Sequence, residues 1–343
     1  MNLLASPKIA LLSLTLLLFS CSPDRHNDGK LIIGVSIPTQ REERWVRDVQ
    51  VLKAEANAHS AELLLQISDN DANRQLAQCE NLLAQDIDVL ILAPHDASAA
   101  SIIVEKAHRL GVKVISYDRL ISHADVDLYI SFDNVKVGEI QGAYLTNLVP
   151  KGVYAVLAGA PTDNNAKLFH QGALNVLKPL VDKGDVKIAM DQAVKDWQPV
   201  EAMKLMEDTL TSNRNRIDAV LAPNDGTAGG AIQALTQQGL AGKIPVTGQD
   251  AEASAAKRIV AGTQAMTVFK DTRELAKAAI QAAVDFEAGR DPGATATVDN
   301  GRRMVPAFLM TPMAVDKTNI DRVLVQSGYL PREAVYGKNA PTP

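Results

Sequence analysis

Residues 217–250 read IDAVLAPNDGTAGGAIQALTQQGLAGKIPVTGQD. The apolar run Ala219–Ala222 stops at Pro223-Asn224-Asp225, and a small-residue segment passes into a helix-like stretch through Gln238. A glycine turn follows, then a second apolar run that ends at Asp250. Strand, helix, strand in this order implies a parallel-sheet unit. It sets Asn224-Asp225 and Gln249-Asp250 beyond the carboxyl ends of neighbouring strands, where open α/β sheets bind ligands.

The stretch has an echo upstream. Residues 88–118 read DVLILAPHDASAASIIVEKAHRLGVKVISYD. Again an apolar strand ends in Ala-Pro-x-Asp, a helix follows, Gly111 turns the chain and a strand ends in Asp. Two such units suggest two similar α/β lobes, each offering a strand-end carboxylate, Asp118 in one and Asp250 in the other. A single strand-end Asp is explained by a turn or a helix cap. Two at matched places favour a ligand held between the lobes.

The 343 residues suffice for two domains, and the balance of 46% hydrophobic to 22% charged is that of a soluble globular chain. A net charge of −5 argues against a nucleic-acid surface, which needs a basic patch. The N-terminus reads as an export segment: one Lys in Met1–Lys8, then the apolar run Ile9–Phe19, which is short for a bilayer span. Leu18-Phe19-Ser20-Cys21 resembles a bacterial lipobox, so Cys21 is expected to be lipidated. Residues 1–20 are then a signal peptide, and 21–29 a polar tether to a membrane. The other thiol, Cys79, falls in a helix-like stretch and reads as a buried residue.

Along the chain, apolar runs at Leu31–Ile37, Leu63–Ile67, Val89–Leu92, Val112–Tyr117 and Leu128–Phe132 predict the strands of one lobe. Val153–Leu157, Val186–Met190 and Ala219–Ala222 predict those of the other. Intervening helices make both doubly wound parallel sheets. Extended segments at Thr295–Val298 and Arg303–Leu309 are not placed by pattern.

Little points to catalysis. There is no phosphate loop, no zinc spacing among six His residues and no G-x-S-x-G elbow, so no metal and no cofactor is expected. What recurs at strand ends and βα loops is a hydrogen-bonding set: Arg44, Asp118, Arg119, Asn165, Lys167, Asn224, Asp225, Asp250 and Lys270. Trp45 and Trp197 fall in the same kinds of place. Sugars suit this combination, because their apolar faces stack on aromatic rings while their hydroxyls both donate and accept.

Several stretches carry a family resemblance: REERW (41–45), SYDRLISHADVDLYISFDNVKVGE (116–139), DNNAKLF (163–169), PNDGTAGGAIQALTQQGLAGK (223–243), GQDAE (248–252), KRIVAGTQAMTVFK (257–270) and FLMTP (308–312). From about Lys30 to Tyr329 the chain resembles the periplasmic sugar-binding proteins of bacterial ABC importers, the ribose/galactose/xylose type. REERW, DNNAK and NDxTAGGAIQAL are closest to its xylose branch. The resemblance implies a type I periplasmic-binding-protein fold, with two lobes joined by three crossovers near Asp133, Thr267 and Asp299. The lobes would be 30–133 with 267–298, and 134–266 with 299–330. It implies one pyranose, D-xylose, in the cleft, delivered to permease and ATPase subunits. Trp45 and Trp197 would stack on the sugar. Arg44, Asp118, Arg119, Asn165, Lys167, Asn224, Asp250 and Lys270 would bond its hydroxyls, with Asp225 as a helix cap. Pro38-Thr39-Gln40 departs from the acidic pair of the xylose branch, which leaves the fine sugar preference open.

Three other readings are separable. An enzyme using Asp118 and Asp250 as acid and base would turn its sugar over. A sugar-responsive transcription regulator of this fold needs an N-terminal DNA-binding helix pair where residues 1–30 offer an export segment. A role as sugar sensor for a chemoreceptor or sensor kinase is compatible with the importer reading.

Overall fold

The computed structural model describes residues 29–338; the expected signal segment, Cys21 and the tether as far as Asp28 lie outside the described residues. In the first lobe the chain runs β1 (Ile32–Ile37), α1 (Glu43–Ala58), β2 (Glu62–Ile67), α2 (Ala72–Leu83), β3 (Val89–Leu92), α3 (Ser101–Arg109), β4 (Lys113–Tyr117) and β5 (Leu128–Phe132). It then enters the second lobe through α4 (Asn134–Leu148), β6 (Gly152–Ala158), α5 (Asn164–Asp182), β7 (Val186–Ala193), α6 (Pro199–Ser212), β8 (Ala219–Leu221), α7 (Asp225–Gln237), α8 (Ala253–Ala261) and β9 (Thr267–Phe269). It returns with α9 (Thr272–Glu287), β10 (Ala296–Asp299) and β11 (Met304–Met310), and ends with β12 (Met313–Val315) and α10 (Arg332–Tyr336).

The first sheet has the order β10-β11-β5-β4-β3-β1-β2, parallel throughout except for the antiparallel β10–β11 pair. Its central strands are apolar on both faces because helices cover both. Helices α1 and α9 close one face through Trp45, Leu52, Leu275 and Ile280. Helices α2 and α3 close the other through Leu82, Ile103 and Val104. Cys79 is buried there, and burial pushes its thiol up to about 12, so it stays inert. The second sheet, β7-β6-β8, is likewise packed between α6 and α7 on one side and α4 and α5 on the other.

Helix starts follow local chemistry. Asp71, Asp133, Asp163 and Asp271 each accept a backbone N–H of the first turn, at 2.9 to 3.2 Å. At α7 the cap is Asn224, in a capping box with Thr227, and not Asp225 as the sequence suggested.

Two sequence expectations need correction. The run ending at Asp250 is not a regular strand. It makes single bridges, Val246 to β8 and Gln249 to β9: Pro245 offers no N–H on one side, and on the other the Thr247 hydroxyl takes the N–H and the carbonyl of Ala222; the Pro245 carbonyl still accepts Val220 N at 3.0 Å. The segment therefore links β8 to the β9–β12 pair. The chain also changes sheets later than expected. β9 pairs with β12, so the return falls after Phe269, not at Thr267. β10 and β11 form a hairpin on the first sheet, so the last switch falls between Met310 and Met313, not at Asp299. A tight turn at Gly301 hides this from a pattern that expects a helix between parallel strands. The first and last crossovers lie side by side, with Asp133 N donating to Met310 O at 2.9 Å.

Helices α4 and α5 touch backbone to backbone. A Cβ on Gly138 would stand 1.9 Å from Phe169 O, and one on Gly172 would stand 1.9 Å from Val135 O. Among the described residues no helix is long and apolar enough to cross a membrane.

Candidate ligand-binding cleft

The carboxyl ends of both sheets face a common cavity of about 330 Å³, measured with its opening to solvent. The first lobe contributes Glu42, Arg44 and Trp45 from the start of α1, and Asp118 and Arg119 from the turn after β4. The second contributes Asp163, Asn165 and Phe169 at the start of α5, Trp197 before α6, Asn224 after β8, and Gln249 with Asp250. Lys270 enters from the crossover after β9.

A run of alternating charge crosses the cavity floor. Arg44 donates to Asp48 at 2.5 Å and to Asp118 at 2.6 Å. Lys270 Nζ then lies 3.8 Å from Asp118 Oδ2 and 3.5 Å from Asp250 Oδ1. All five side chains are buried. Burial alone would raise the Asp118 carboxyl, but Arg44, Lys270 and Arg119 outweigh it and hold it down at about 2. Asp48, deeper and paired with Arg44, is held above its usual range by burial. Arg119 Nε meets Asp163 across the cleft at 2.9 Å, and Trp197 Nε1 donates to the same carboxylate at 3.2 Å.

Three site residues sit at positive φ: Asp118 (60°), Trp197 (58°) and Asp250 (95°). Such backbone costs of order 1–3 kcal/mol and persists where surroundings over-determine it. At Asp118 they do so, because its carbonyl accepts from Ser131 Oγ at 2.6 Å, Tyr129 OH at 3.1 Å and Asn165 Nδ2 at 3.1 Å. Trp197 is packed on two sides. Its indole lies so close over Gly159 that a Cβ there would meet Cη2 at 2.0 Å, and Phe169 packs edge-on with centroids 6.3 Å apart. Trp45 is covered by cations, with the guanidinium carbons of Arg44 and Arg119 at 4.2 and 5.4 Å from the ring centroid.

Of the ten residues expected to contact the ligand, all but Lys167 line this cavity; Asp225, expected as a helix cap, does not line it. Lys167 is exposed on the outer face of α5. Two residues along a helix turn through about 200°, so a side chain two positions beyond Asn165 points away from whatever Asn165 faces. Glu42, Asp163, Phe169 and Gln249 line the cavity without having been expected there as ligand contacts. Asp163 looks in sequence like a plain cap, and it is one, but its second oxygen serves the cleft. Asn224 Oδ1 is engaged by the cap, which leaves only its amide Nδ2 for a ligand. Asp225 faces inward and ties the start of α7 to Glu252 N, Gln264 and Thr267 at 3.0, 2.7 and 2.9 Å; burial pushes its carboxyl up to about 7.

Chemically the cleft offers directional donors and acceptors beside aromatic surface. Buried Asp250 Oδ1, Gln249 Oε1 and Glu42 Oε2 have no hydrogen-bond partner within the protein. An acid–base pair is poorly served, since a carboxyl held at about 2 donates no proton near neutrality. Among the described residues no group of three or more His, Cys, Asp or Glu side chains could hold a metal ion.

Comparison with known proteins agrees with this architecture. A Haemophilus influenzae protein named D-xylose-binding periplasmic protein is 44% identical over 329 residues, covering 96% of this chain and 99% of its own. An Escherichia coli protein of the same name is 46% identical over 297 residues, covering 87% and 90%. A solved ABC-transporter solute-binding protein of Clostridium phytofermentans, with bound β-D-glucose, superposes with TM-score 0.84 at 32% identity, over 89% of this chain and 99% of its own. These relatives are named as binding proteins rather than enzymes, and the fold is that of a type I periplasmic binding protein. Residues 33–291 match the periplasmic binding protein domain, and the chain belongs to that family.

Proposed function

We propose that this protein is the substrate-binding component of an ABC sugar importer, which captures D-xylose between its lobes in the periplasm and hands it to permease and ATPase subunits. The observation that carries the reading is the set of buried acceptors without a hydrogen-bond partner at Asp250, Gln249 and Glu42, in a cavity that also presents Arg44, Arg119 and Lys270. A polyhydroxyl ring supplies both donors and acceptors and so suits such a mixed set. The cations are each matched by carboxylates, which leaves no excess positive charge for a phosphate or a sugar acid. The proposed ligand contacts are Arg44, Trp45, Asp118, Arg119, Asn165, Trp197, Asn224, Asp250 and Lys270. D-xylose as the ligand is supported by the names of the 44% and 46% identical relatives.

Isothermal titration against D-xylose, D-glucose, D-ribose and L-arabinose tests this. D-xylose should bind tightest, because a hexose must place an extra hydroxymethyl group into space crowded by Trp45, Trp197, Arg44, Arg119 and Lys270. Equal affinity for glucose and xylose would remove the xylose assignment and favour a second reading, a broader aldopyranose binder. That reading is motivated by the glucose bound to the Clostridium phytofermentans relative.

The anchoring proposal rests on Leu18-Phe19-Ser20-Cys21 alone. Lipidated Cys21 would tether the domain to a membrane, and several acyl chains would hold it where one would not. Cys21→Ser should shift the protein from the membrane to the soluble fraction. A native protein that carries no lipid by mass spectrometry would refute the anchor.

A further inference from the structure

Glu42 is the N-cap residue of α1, yet its side chain makes no capping hydrogen bond. It is 7% exposed and lines the cavity. One of its oxygens, Oε1, is gripped by Arg41 through Nε at 3.0 Å and Nη2 at 2.6 Å. The other, Oε2, is buried with no hydrogen-bond partner. Arg41 Nη2 also crosses the cleft to donate to the carbonyl of Asp196 at 2.6 Å, one residue before Trp197. A helix start usually engages its cap side chain on its own N–H groups. Here a carboxylate at that position is turned into the cavity, fixed by an arginine on one oxygen and left open on the other.

We propose that Glu42 is a further specificity-determining residue of the sugar site: Oε2 accepts a hydrogen bond from one ligand hydroxyl, and Arg41 is the positioning residue that holds it there. The assignment rests on the sugar-binding reading above. Its chemical content is that the ligand must present a donor at that one point, so an analogue lacking that hydroxyl is rejected there. Arg41 Nη2 also bonds Asp196 O, so the arginine that holds the acceptor spans both sides of the cleft.

The test is a titration of D-xylose and its monodeoxy derivatives against the purified wild type, Glu42→Gln, Glu42→Leu and Arg41→Ala. A hydrogen bond to a charged acceptor corresponds to about ten- to hundredfold in affinity. Wild type should reject one deoxy sugar by that factor. Glu42→Leu should bind D-xylose correspondingly more weakly and no longer distinguish it from that one analogue, with its ratios for the other analogues unchanged. Glu42→Gln, which keeps an uncharged acceptor and tests the point if the leucine variant misfolds, should fall between. Arg41→Ala should shrink the same ratio and no other. Unchanged D-xylose affinity in Glu42→Leu, or a loss spread evenly over every analogue, would overturn the assignment while leaving the sugar-binding reading intact. A wild type that binds none of the panel would overturn both.

Discussion

Arg44→Ala is expected to destabilise the fold by about 3–5 kcal/mol, the usual penalty for removing one partner of a buried ion pair. Arg44 is 3% exposed and holds two buried carboxylates at once, Asp48 and Asp118. Asp118 would keep Lys270 at 3.8 Å, but Asp48 would lose the one cation that bonds it among the described residues. The main cost therefore falls on Asp48. Its carboxyl, already raised by burial, would rise further in the variant. A raised folded-state pKa favours the protonated, folded form. The deficit should accordingly be smaller near pH 4 than at pH 8, growing as pH rises through the folded-state value. Urea unfolding at both pH values measures it. A deficit below about 1 kcal/mol, with no pH dependence, would show that water or a rearranged side chain compensates Asp48.

Asp250 should behave in the opposite way, with a large loss of binding and a smaller loss of stability. Its Oδ1 is buried without a hydrogen-bond donor of its own, and Lys270, its ionic neighbour at 3.5 Å, retains Asp118 when Asp250 is removed. A hydrogen bond to a charged group contributes about 1.5–3 kcal/mol, so Asp250→Ala should weaken sugar binding roughly ten- to hundredfold. The residue sits at φ 95°, which alanine tolerates poorly, so Asp250→Asn is the better control for backbone strain. It keeps one acceptor and the turn but loses the charge, and should also bind less well. Calorimetry on both variants decides; unchanged dissociation constants would remove Asp250 from the site. Trp197→Ala, read alongside, should not add simply to Asp250→Ala, because both would grip one ring.

The sheet architecture was legible because its signals are local. Apolar runs of four to seven residues alternate with helical periodicity, and Asp118 and Asp250 stand where those runs stop. What escaped depends on geometry that spacing does not encode. Lys167 sits in the same short motif as Asn165, and only the rotation of α5 separates the exposed side chain from the buried one. Glu42 lies in REERW between a loop and a helix, and reads as an ordinary charged helix start until its side chain is seen to cap nothing. Lys270 was expected in the site, yet nothing in its neighbours foretold a place between carboxylates 118 and 250, one from each lobe. The late switch from β11 to β12 escaped because a hairpin interrupts the alternation on which the lobe boundaries were read.

The glycine contact between α4 and α5 bears on how this site can change over time. Most helix pairs meet through side chains, and one exchange can trim or enlarge the seam by a methylene. At Gly138 and Gly172 there is no seam to edit, since each stands where any Cβ would strike the opposite carbonyl. Helix α4 starts at the crossover, directly after Asp133, and α5 carries Asn165 and Phe169 in the cavity wall. Any bend at that crossover is thus handed to the wall as if through one stiff lever with no play in its joint. Drift at positions 138 and 172 is therefore closed to every side chain at once, and the spacing of the two helices stays fixed.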